Sequence, residues 1–171
     1  MKKPCAIALT ITLLLIAGAG LKAQTPVVNT SINNVITAYF DVKNALAANN
    51  GVVAESNAKI LKAQIEAVPV KDMGADRQTV WKNYVDKLDF DSRHISESTS
   101  IDHQREHFAS LSKNMYTVVK SFKVNSTPIY WQYCPMKKAS WLSEKPGIEN
   151  PYYGKEMPNC GSTKETLKAV K

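Results

Sequence analysis

Cys134-Pro135-Met136 and Met157-Pro158-Asn159-Cys160 place two thiols and two thioethers at the ends of a 23-residue loop, Lys137 to Asn159. Thiolate and thioether sulfur select soft ions such as monovalent copper or silver. A loop with a sulfur pair at each end can close around one ion. If the first segment is a strand, Cys134 and Met136 lie on the same face. The cysteines read equally well as a disulfide. Closing their 26-residue separation stabilises by roughly 3–3.5 kcal/mol on the chain-entropy view. Free thiols are the third state, and methionines alone also serve as core packing.

The histidines fall in one stretch: His94, His103 and His107. His103 and His107 are four apart and share a helix face. On the wheel centred on Phe108, Met115 and Phe122, His107 lies at the edge of the buried face. There it can meet the C-terminal segment, while His103 faces solvent. The order His103-Gln104-Arg105-Glu106-His107 lacks the zinc-protease pattern.

Other chemistries lack their motifs. The chain has no Cys-x-x-Cys, no Gly-rich phosphate loop and no Gly-x-Ser-x-Gly elbow. It shows no nucleophile–base–orienter set, so an enzyme is not expected.

The elements that must position these residues follow from hydrophobic period. Ile32, Val35, Ile36, Tyr39 and Leu46 form one helical stripe, with Ser31 as N-cap and Gly51 as stop. Ala54, Ala58, Leu61, Ile65 and Val68 form a second, ended by Pro69. Asp76 caps a third, carrying Trp81, Val85, Leu88 and Ile95. The polar run 96–100 is either a break or an exposed stretch of one long helix. The fourth stripe is Ile101, Gln104, Phe108, Leu111, Met115, Val118 and Phe122. Four amphipathic segments with short connections predict a mainly α fold, an antiparallel helical bundle over 31–122. The C-terminal segment, 123–171, is irregular and partly β. Residues 128–133 alternate like a strand, 144–159 is turn-rich, and Ser162 to Glu165 fits a capping box for a short last helix.

The N-terminus reads as a signal peptide over 1–23. Lys2 and Lys3 precede an uncharged apolar run, and small residues lead to Ala23. The run is short for a membrane span. Removing it takes Cys5 and three lysines, leaving 148 residues in one domain, two cysteines and a charge of +4 instead of +7. The expected location is periplasmic or secreted, with no membrane span after cleavage, and an oxidising compartment suits a cysteine pair. Residues 24–122 are charge-neutral, and the excess lies in the lysines of the C-terminal segment. They are scattered, so no nucleic-acid surface is expected.

Several motifs carry a resemblance. They are Asp102-His103-Gln104-Arg105-Glu106-His107-Phe108-Ala109-Ser110-Leu111-Ser112, Tyr133-Cys134-Pro135-Met136, Trp141-Leu142-Ser143, Ile148 to Gly154, Met157 and Cys160-Gly161. Together they resemble an uncharacterised bacterial envelope domain family, over about Ile32 to Leu167. That family also occurs fused to periplasmic adaptor subunits of copper and silver efflux pumps. The resemblance implies heavy-metal handling, with Cys134, Met136, Met157 and Cys160 as ligands and His107 as a fifth. Lys137-Lys138 and Pro158-Asn159 depart from the family pattern but leave the sulfurs in place. The expectation is a module binding monovalent copper or silver, for buffering or delivery to an efflux adaptor or another envelope protein. The rival is a disulfide-pinned structural or interaction domain without metal.

Overall fold

A computed structural model of the chain describes residues 26–170. The expected signal peptide lies outside the described residues. Four helices, α1 (Pro26–Ala47), α2 (Gly51–Glu66), α3 (Ala75–Ser96) and α4 (Ile101–Phe122), are followed by strands β1 (Ile129–Cys134), β2 (Ala139–Ser143) and β3 (Ser162–Leu167). The fold is the predicted helical bundle with a partly β C-terminal part. Each predicted stripe faces the core. Only Val85 and Ile101 of the named stripe residues stay half-buried.

The helix ends differ from the sequence reading. α1 is already helical at Pro26, the first described residue, so Ser31 does not cap it: the Thr30 and Ser31 hydroxyls donate to the carbonyls of Pro26 and Val27 four residues back. Gly51 does not stop α1; it opens α2. Asn49 takes the left-handed conformation (φ 58°) just past α1, and the Asn50 side chain caps α2 by accepting from the Val53 N–H. Gly51 is required there for another reason: a Cβ would run into the Thr99 carbonyl of the α3–α4 connection. Residues 97–100 form a true break. The fully buried Gln104 side chain holds it, donating to Ser98 O at 2.5 Å and Gly51 O at 2.8 Å.

The last predicted helix is absent, because residues 162–167 form β3. Edge pairing overrides the local capping pattern: β1 lies between β2 and β3 in an antiparallel sheet, with Tyr133 opposite Ser162 and Ile129 opposite Leu167. Glu165, read as the capping carboxylate, instead accepts from Tyr116 Oη (2.5 Å) and pairs with Lys120 (2.9 Å) on α4.

Tyr39 binds the sheet to the bundle. Its ring stacks on Phe108, and its hydroxyl bonds to Ser112 Oγ (2.7 Å) and accepts from the Leu142 N–H (3.1 Å). Trp131 stacks on Tyr116 of α4 at 4.3 Å. These contacts direct one sheet face to the helices. The alternate residues Gln132, Cys134 and Trp141 share the other face.

Candidate functional site

A turn-rich loop between β2 and β3 covers that second face. Gln132 Nε2 lies within 3.3 Å of the carbonyls of Lys145, Pro146 and Gly147. Tyr152 packs on Phe108 and Trp141, and its hydroxyl donates to Ser140 O at 2.7 Å. Asn150 organises the loop, as the Asn-Pro dipeptide requires. Its Oδ1 accepts from the Tyr152 N–H (2.8 Å) and its Nδ2 donates to Cys160 O (2.6 Å). Arg105 of α4 holds the same loop, with Nε donating to Pro151 O at 2.8 Å.

This packing brings the two cysteines together. Cys134, fully buried at the end of β1, and Cys160, half-exposed just before β3, have Sγ atoms 3.1 Å apart, and both thiols are free. Burial pushes the Cys134 thiol up. Donors at its sulfur (the Lys137 N–H, the Cys160 thiol, the Asn150 side chain and the Met136 N–H) outweigh burial and hold it below its ordinary value. Cys160 is pushed the other way, first by donating to Cys134 and then by burial. The pair can therefore share one proton, with the anion centred on Cys134.

The methionines take different places. β1 ends at Cys134, so Met136 does not continue a strand face. It lies in the turn 135–138 and is 65% exposed, and its backbone N–H serves both sulfurs. Met157 is half-buried, and its carbonyl accepts from the Cys160 N–H at 3.2 Å.

His107 does not join the cysteines. Its Nδ1 lies 3.1 Å from Asp91 Oδ1 on α3, and its ring stacks on His94 at 4.4 Å. The helical wheel fixes its angle from the apolar stripe but not which neighbour lies on that side. Arg105, about 200° away around α4, faces the loop, so His107 faces α3. His103 does not simply face solvent: it is half-buried against the other two rings. His94, His103 and His107 form the one grouping of three or more His, Cys, Asp or Glu side chains with metal-ligand proximity among the described residues. The sequence signal for it is the shared stretch of all three histidines, His94 included.

The molecule is thus a helical-bundle protein whose C-terminal sheet and loop hold a dithiol with one buried and one half-exposed thiol. The chain belongs to the family described as protein of unknown function (DUF3347), whose model matches residues 35–127. The match runs from within α1 through α4, takes in the three histidines and ends before Cys134. No curated protein and no solved structure matches the chain. Among the described residues, no helix is long and apolar enough to cross a membrane.

Proposed function

We propose that this protein is a cell-envelope metal-binding module that holds one monovalent soft ion, copper or silver, on Cys134 and Cys160. It would buffer the ion or deliver it to an efflux adaptor. The single observation that carries the reading is the 3.1 Å sulfur pair in a cradle of N–H donors. Thiolates favour soft ions, and donors that stabilise a thiolate lower the cost of deprotonating the ligand. Main-chain donors from Met136 and Lys137 also orient the sulfur, as outer-shell partners do at metal sites. The Met136 and Met157 thioethers flank the pair in sequence and would add soft donors to such an ion. Export by the N-terminal signal and association with copper or silver efflux systems belong to the same proposal.

Titration of reduced protein with monovalent copper against a chromophoric chelator tests it. One ion per chain is expected, with loss of tight binding in Cys134→Ser/Cys160→Ser. Absence of one-to-one binding, or retention by the double variant, refutes it.

The same 3.1 Å separation favours a second reading, in which a Cys134–Cys160 disulfide pins the loop to β1. Material isolated from the native envelope would then show a two-hydrogen mass deficit and retain no metal. The oxidised pair can also be the resting form of the metal site.

A further inference from the structure

We propose that His94, His103 and His107 form a second, independent site, for a divalent ion of borderline softness such as zinc. The three imidazoles come from two helices. His94 stands near the C-terminal end of α3, and His103 and His107 lie one turn apart on the first half of α4. One ring nitrogen from each lies within 4.8 Å of the others. Ligands on a tetrahedral ion at about 2.0–2.1 Å from each nitrogen are separated by about 3.4 Å. All three side chains are half-buried, so rotation about χ1 and χ2 can close that difference, with the stacked His94 and His107 rings tilting apart.

The surroundings of His107 are those of a metal ligand. Asp91, itself only 4% exposed, faces His107 Nδ1 at 3.1 Å and is fixed by a hydrogen bond from Ser110 Oγ. A carboxylate on Nδ1 sets the tautomer that presents Nε2 to an ion, and such outer partners typically change affinity 10–100-fold. Three histidines leave a fourth position, and the half-exposed setting lets water fill it. Imidazole nitrogen prefers borderline divalent ions, whereas the thiol pair prefers soft monovalent ones. The two sites therefore need not compete. A purely aromatic cluster is the competing account, since Phe90 packs on His94 at 4.4 Å and on His107 at 5.7 Å.

The test uses tag-free protein expressed from the full coding sequence and carrying Cys134→Ser/Cys160→Ser, which removes the sulfur site. Calorimetric titration with zinc chloride should show one ion per chain. Cobalt(II) should give a visible band of a low-coordinate nitrogen site, displaced by zinc. His94→Gln and His103→Gln should each weaken zinc binding at least ~100-fold, and Asp91→Asn about 10–100-fold, with far-UV circular dichroism unchanged. Zinc should also raise the Tm of the histidine-intact protein, reversibly on chelation. No zinc binding at micromolar protein, or equal affinity in His94→Gln and His103→Gln, overturns the site. A variant that loses its helical signal is replaced by the Tm readout, where no zinc-dependent shift overturns it equally.

Discussion

Replacing Arg105 with Met should free the C-terminal loop from the bundle. Arg105 is 7% exposed, and its guanidinium joins three segments. Nε donates to Pro151 O at 2.8 Å, and Nη2 donates to Leu46 O at 3.2 Å and Asn49 Oδ1 at 2.6 Å. Hydrogen bonds from a charged donor contribute about 1.5–3 kcal/mol each, offset in part by the cost of burying the charge. That cost is real here, because burial pushes the Arg105 guanidinium below its ordinary value. Methionine keeps the apolar volume but supplies no donor. The expected net loss is about 3–4 kcal/mol, a fall in Tm of roughly 6–15 °C for a domain of this size. Lysine should recover only a fraction, because a point charge cannot span three acceptors. Urea unfolding measures the stability. The rate at which an alkylating reagent modifies Cys160 measures the loop, since Pro151 adjoins Asn150, which holds the Cys160 carbonyl. Stability should fall and alkylation should accelerate together. A loss under about 1 kcal/mol, or a full loss with unchanged alkylation, would show that Arg105 does not secure the thiol-bearing loop.

Lys43 is fully buried against Glu144 (3.1 Å) and Glu149 (3.5 Å). Burial raises the Glu144 carboxyl, but hydrogen bonds from Asn44 and its own backbone, and the Lys43 charge, bring it below its ordinary 4.5. Its stabilisation is therefore present above pH 4.5 and lost as pH falls through the depressed value, and urea midpoints at pH 7, 5 and 3.5 should fall less in Lys43→Met than in the native chain. Lys123 caps α4 in the left-handed conformation (φ 51°, ψ 57°), and Lys123→Gly should raise stability by about 0.5–1 kcal/mol in urea unfolding. Peptide mapping after limited alkylation should find the label on half-exposed Cys160 rather than buried Cys134. The reaction should be slow at neutral pH and quicken as pH rises, because the Cys160 thiol is pushed up.

The helices were legible because their burial is periodic. Tyr39, Leu61, Trp81 and Phe108 each stand on a predicted stripe and each is buried. Their ends are less so, since Asn49 and Asn50 close one helix and open the next while the adjacent Gly51 has the residue type of a stop. β3 was misread because a strand that gains its hydrogen bonds from a distant partner needs no strong local signal. The alternation of β1 was visible, whereas the bulge between Trp131 and Gln132 that adjusts its register against β3 was not.

The site followed the same division between local and long-range information. Cys134 and Cys160 were paired on type and spacing, and tertiary packing sets them 3.1 Å apart. A helix projection gives the flank on which His107 lies but not which element packs against that flank. Arg105 and His107 resolve the ambiguity: one reaches the loop and the other reaches Asp91 on α3, so α4 separates the thiols from the imidazoles. The C-terminal segment also depends on the bundle for its shape. Leu142 donates to Tyr39, Pro151 and Leu46 share one guanidinium, and a Cβ on Gly154 would strike Asn49 and Arg105. Gly154 itself sits at φ 51°, which favours glycine. The geometry of the dithiol is thus inherited from helices that carry none of its sulfur. A change on α1 or α4 that loosens these contacts acts on the sulfurs without touching them.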